Sequence, residues 1–142
     1  MQMEYFRWQG EVEQKVEPAS EIFFSGLKIL VVDDDITACH ALVKLLEKWG
    51  AECRYAYRAA DSLKIVKSDW VPVLALLDYR LPDSEDGFYL VAQLREFLGD
   101  QLAVLILTGD IDVVSPVTNL PVVHKPLRPS VLRTAITNQL LS

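Results

Sequence analysis

The chain has 142 residues, 51% of them apolar, and carries 20 Asp and Glu against 14 Lys and Arg for a formal net charge of −6. That length gives room for one domain with a full core, while the acidic balance argues against nonspecific nucleic-acid binding, which needs a basic stripe. No apolar stretch reaches the roughly 18 residues that a membrane span requires, and residues 1–10 lack the basic-then-apolar order of a signal peptide, so a cytoplasmic chain without membrane insertion is expected.

Residues 1–26 differ in character from the rest of the chain. They hold Glu4, Glu11, Glu13, Glu17 and Glu21 with Tyr5, Phe6, Trp8, Phe23 and Phe24 between them, and read as an N-terminal extension or linker. The alternative is that these aromatics dock on the domain or on a second copy of the chain. From residue 27 to 142 the pattern is regular. Apolar or β-branched runs at 28–32, 51–55, 73–77, 103–107 and 121–124 are strand candidates.

Helical periodicity fills the intervals. Ala38, Leu42, Leu45, Leu46 and Trp49 recur at three and four residues and stop at Gly50; Ala59, Leu63 and Val66 form a second set, and Phe88, Val91, Leu94 and Leu98 a third that closes at Gly99. Pro129 opens the last helix, with Leu132, Ala135, Ile136 and Leu140 on one face. Strand and helix alternate and the central runs are apolar throughout, which predicts a doubly wound α/β domain: a parallel sheet, right-handed crossovers and helices on both faces.

Acidic residues end two of these runs, Asp33-Asp34-Asp35 after the first and Asp78 after the third. Parallel strands bring their carboxyl ends to one edge, where ligands of such sheets bind. Carboxylates gathered there raise one another's pKa unless a cation compensates, and oxygen-only ligands favour Mg²⁺, which commonly works beside phosphate. A carboxylate in that setting can attack a phosphoryl group, giving an acyl phosphate whose oxygens need neutralising. Lys125, ending the fifth run, and the hydroxyl of Thr108, ending the fourth, are placed to help, and Gly109 leaves the backbone room to approach. Asp35 is expected to begin the first helix as a cap or first-turn acid.

The ordered set Val32-Asp33-Asp34, Asp78-Tyr79-Arg80-Leu81-Pro82, Asp86-Gly87, Thr108-Gly109 and Lys125-Pro126 closely resembles the receiver domain of two-component response regulators. The resemblance implies a five-stranded sheet of flavodoxin-like order 2-1-3-4-5. It also implies Asp78 as phosphoacceptor, Asp34 as direct Mg²⁺ ligand, Asp33 as its water-mediated partner, the Arg80 carbonyl as a further ligand, and Thr108 and Lys125 on the phosphoryl group. A cis Lys125-Pro126 bond is implied as well. The donor would be a phosphohistidine on a sensor histidine kinase or phosphotransfer protein, and the product would act as a switch more than as a turnover enzyme.

Three departures from the family pattern stand out. Val122 occupies the place, three before the Lys, where the family usually has an aromatic switch residue, which points output to another route. The interval 110–119 is short, β-branched and broken by Pro116, so the fourth helix is expected to be shortened or missing, and with it the usual dimer face; any homodimer would use an atypical one. The loop from Pro82 to Gly87 holds one residue more than usual, adding Ser84-Glu85.

Two rival readings differ in class. Asp33, Asp35 and Thr37 fit the D-x-D-x-T opening of haloacid-dehalogenase-like phosphatases, but residues 126–142 contain no Asp or Glu to complete that metal site, and Asp78 would go unused. A phosphorylation-independent binding module keeps the fold without the chemistry, and the intact acidic set argues against it. His40 and His124 are read as structural, Cys39 and Cys53 as small hydrophobes in a reduced chain, and Trp49 and Trp70 as core or rim aromatics. As the chain stops soon after its last helix, DNA-binding output in cis is not expected. A stand-alone regulator or a segment of a hybrid kinase both fit.

Overall fold

The computed structural model describes residues 23–84, 86–114 and 120–141. Strands β1 (Lys28–Val32), β2 (Glu52–Ala56) and β3 (Leu74–Asp78) are followed by helices α1 (Ile36–Lys48), α2 (Ala59–Val66) and α3 (Gly87–Leu98) in turn, and β4 (Ala103–Thr108) and β5 (Val122–His124) by α4 (Pro129–Leu141). The sheet order is β2-β1-β3-β4-β5, with every pairing parallel. This is the predicted doubly wound fold.

The central strands are apolar at successive positions because both of their faces are covered. Ile29 and Val31 of β1 join Leu74, Leu76, Leu105 and Leu107 in one core under α1 and α4, where Leu42, Leu46, Leu132 and Ile136 are packed. Their neighbours Leu30 and Val32 join Ala75, Leu77, Val104 and Ile106 in the opposite core, closed by Val66, Leu90 and Leu94 of α2 and α3. A one-residue slip of any strand would exchange these two sets.

Helix boundaries obey local chemistry. Asp35 caps α1, its Oδ1 accepting from the Ala38 amide at 3.1 Å, as expected of that acid. At the other end Gly50 has φ +105°, and a Cβ there would lie 3.1 Å from the Ser25 Cα. Glycine is therefore needed both for the left-handed turn and for the chain segment that crosses it. That segment is bound there by the Gly26 amide donating to the Gly50 carbonyl at 2.8 Å.

Two residues placed by sequence in the extension belong to the packed structure. Phe24 is fully buried, its ring edge-on to Trp49 at 5.1 Å and to Phe23 at 5.5 Å. The Arg133 guanidinium of α4 lies 4.9 Å from the Trp49 ring and 5.6 Å from Phe24. Residues 1–22, the remainder of that extension, lie outside the described residues. Between β4 and β5 the described residues hold turn and no helix; residues 115–119, on which the expectation of a shortened fourth helix also rests, lie outside them, as does Glu85.

The two cysteines are free. Burial pushes the Cys39 thiol up to about 11 and the Cys53 thiol to about 12, which leaves both inert near neutral pH. Trp70 is buried and donates from Nε1 to Glu52 at 2.9 Å.

Candidate functional site

The carboxyl edge of the sheet gathers the strand-end residues that the sequence singled out. Asp33 comes directly after β1, Asp78 ends β3 and Thr108 ends β4, and all three are buried, at 2%, 8% and 2% exposure. Asp34 is exposed beside them. Carboxylate oxygens of Asp33, Asp34 and Asp78 lie within 4.8 Å of one another. Three hard oxygen donors at that spacing suit a cation such as Mg²⁺, which accepts a few carboxylates and keeps its remaining ligands as water.

Lys125 enters this cluster from beyond β5. Its Nζ lies 3.2 Å from Asp33 Oδ2 and 3.6 Å from Asp78 Oδ1, and its amide donates to the Thr108 carbonyl at 2.7 Å, which extends the β4–β5 ladder by one step. The Lys125-Pro126 peptide is cis, as the resemblance implied. Burial works against the Lys125 charge, but Asp33 and Asp78 outweigh it and hold its pKa above the ordinary value. Burial, and then the charge of Asp33, push the Asp78 carboxyl up to about 6 from 3.8, against the pull of Lys125. One ammonium thus only partly compensates the carboxylates it touches.

An open hollow of about 350 Å³ exposes this edge, lined by Asp34, Asp78, Arg80, Thr108, Gly109 and Asp110. Arg80 reaches across its mouth to Asp110, Nη2 to Oδ2 at 3.1 Å. The Asp110 amide in turn donates to Thr108 Oγ1 at 3.0 Å. Asp110 lies outside the motifs that mark the site in the sequence, although an acid two residues past a strand-end Thr is a usable signal. The side-chain pairing of Arg80 is likewise absent from the sequence expectations, which give a role only to its carbonyl.

The loop leaving Asp78 depends on Gly87. A Cβ at that position would lie 3.1 Å from the Tyr79 Cα and 3.2 Å from the Asp78 carbonyl oxygen, so a side chain there would press on the end of β3, and glycine lets α3 start directly against it. The Gly87 amide donates to the Tyr79 carbonyl at 2.7 Å, and Asp86 caps the helix through the Tyr89 amide at 2.8 Å. Val122, in the place of the family's aromatic switch residue, is half-buried against the α2–α3 core. His40 bonds through Nε2 to the Tyr57 hydroxyl at 2.7 Å, and His124 is exposed at the end of β5.

Comparison with known proteins agrees with this geometry. The sequence model of the response regulator receiver domain matches residues 29–137, and the chain belongs to that family. It is 30% identical over 120 residues to an uncharacterized transcriptional regulatory protein of Bacillus subtilis, YbdJ, the match covering 81% of this chain and 51% of that one; the chain therefore spans about half of that relative's length. A receiver domain protein from Clostridium thermocellum superposes with a TM-score of 0.71 at 26% identity, over 81% of this chain and 94% of the other. A CheY-like receiver from Methanospirillum hungatei does so at 0.70 and 27%, over 82% and 94%. Receiver domains are signalling domains, and a phosphorylation switch is general to the family. No helix among the described residues is long and apolar enough to cross a membrane.

Proposed function

We propose that the chain is a phosphorylation-dependent switch of a two-component phosphorelay in which Asp78 accepts a phosphoryl group from a phosphohistidine. The observation that carries this reading is the meeting of the three carboxylates with Lys125, at 3.2 Å from Asp33 and 3.6 Å from Asp78. An Asp78 oxygen attacks phosphorus, the P–N bond to the donor imidazole breaks, and its electron pair stays on that nitrogen. Lys125 holds positive charge where the transferred oxygens arrive, and Thr108 offers its hydroxyl to one of them.

Asp33, Asp34 and Asp78, with the Arg80 carbonyl, would hold Mg²⁺, whose charge would offset the crowded carboxylates and the incoming phosphoryl oxygens. The donor would be a sensor histidine kinase or a histidine phosphotransfer protein. Residues 27–142 would form the receiver and residues 1–26 its extension, with Phe23 and Phe24 as the anchored end of that extension.

Incubation with Mg²⁺ and a small phosphodonor, and then intact mass, tests the reading. A labile gain of one phosphoryl group that is absent in Asp78→Asn is expected. Continuous phosphate release would favour a hydrolase, and an unchanged mass in the parent protein would favour a constitutive binding module.

A further inference from the structure

Helix α2 begins without a cap of its own. Arg58 holds the N-cap position in extended backbone and makes no capping bond. The first amides of the helix are met instead by a carboxylate 24 residues further on: Asp83 Oδ1 accepts from the Ala59 amide at 2.8 Å, and Oδ2 accepts from the Ala60 amide at 3.0 Å. Both oxygens are thus engaged at the positive end of the helix. Burial pushes this carboxyl up, but the amides of Ala60, Ala59 and Asp83 itself together outweigh it and hold it below its ordinary value.

The acceptor of this cap comes from the loop that leaves Asp78. It is closed at its base by the Gly87 amide on the Tyr79 carbonyl, and internally by the Ser84 amide on the Leu81 carbonyl at 3.2 Å and the Ser84 hydroxyl on the Asp86 carbonyl at 3.2 Å. Leu81 anchors it in the α2–α3 core. Asp83 adds a polar tie from the loop to the start of α2. Arg80, which lines the same hollow as Asp78, lies between Asp78 and that tether in the chain.

We propose that Asp83 is a positioning residue of the acidic site: its two-oxygen grip on α2 fixes the loop that carries Arg80 beside Asp78, so that cation binding depends on it although it adds no ligand. The inference rests on reading Asp33, Asp34 and Asp78 as a Mg²⁺ site. It differs from a plain helix cap, whose loss would affect only the start of α2.

The full chain as parent, Asp83→Ala, and the double variant Asp83→Ala with Arg58→Ser separate the two roles. Serine at the N-cap gives α2 an acceptor of its own without rebuilding the tether. Mg²⁺ affinity by calorimetry and amide exchange of Ser84 and Gly87 in metal-free buffer are the readouts. Asp83→Ala is expected to weaken Mg²⁺ binding on the order of tenfold, the loss typical of groups that orient metal ligands, and to speed exchange at both amides. The double variant should regain melting temperature yet keep the weak binding and the fast exchange. Restored affinity and slow exchange in the double variant, or neither readout moving in Asp83→Ala, would overturn the proposal. Asp34→Asn is run alongside: a parent protein with no Mg²⁺ affinity for it to remove sinks the metal reading, and the exchange data still decide whether Asp83 holds the loop.

Discussion

Removing the charge of Asp78 should stabilise the metal-free protein by an amount that grows with pH. Asp78 is buried, faces Asp33, and has Lys125 no closer than 3.6 Å, which together bring its carboxyl up to about 6 from 3.8. Through that interval the folded chain keeps a proton that the unfolded chain has released. Stability therefore falls as pH rises from about 4 to about 6, and above it the ionised group costs the folded state up to about 3 kcal/mol, at roughly 1.36 kcal/mol per pH unit. Asp78→Asn keeps the shape and removes the charge. In chelator it should match the parent near pH 4 and exceed it by about 1–3 kcal/mol near pH 7.5, melting several degrees higher. Urea or thermal unfolding of the two proteins side by side measures this, and the lowered carboxyls of Asp83 and Asp110 cancel because both proteins carry them. Saturating Mg²⁺ should shrink or invert the gap, since a ligand at a hundred times its Kd adds about 2.7 kcal/mol to the parent. A difference independent of pH, or an Asn variant less stable at neutral pH without metal, would refute the account in which burial and like charge dominate at Asp78.

Phe24→Ala should cost about 3–5 kcal/mol in denaturant unfolding, as expected when a buried aromatic is removed from a packed core; a loss below about 1 kcal/mol would mean that the segment only rests on the surface. Asp35→Ala should cost about 1 kcal/mol by the same assay, because α1 loses the acceptor for its Ala38 amide. Gly87→Ala should slow phosphoryl uptake at Asp78 with the circular dichroism spectrum retained, since the new methyl presses on the Tyr79 Cα and the Asp78 carbonyl. Uptake at the parent rate would show that α3 can recede at no cost to the site.

The parts of this molecule that depend on local pattern are legible in the sequence. The unbroken apolar runs that end in Asp33 and Asp78 give strands covered on both faces, and the Leu42-Leu46 and Val91-Leu94 repeats give the helices that cover them. Lys125 and Thr108 can be assigned to the same edge because parallel strands share a direction. What stays hidden depends on contacts between segments distant in sequence. Phe24 reads like any aromatic in an acidic stretch until α1 and α4 supply Trp49 and Arg133. Asp83 reads as one more loop acid, because no pattern within the loop says that it will meet the amides of Ala59 and Ala60. Arg80 and Asp110, 30 residues apart, are opposite charges in two loops whose separation only the finished sheet defines.

The burial of Phe24 also separates two boundaries that are easily taken as one. The match to the family's sequence model begins at residue 29, yet the ring that fills the gap between Trp49 and the first core comes from five residues earlier. A fragment or chimaera cut to the region of similarity would fold around a hole the size of a phenyl group. Excision at that line would weaken the very domain it was meant to isolate, and a junction placed before Phe23 would carry the missing ring with it.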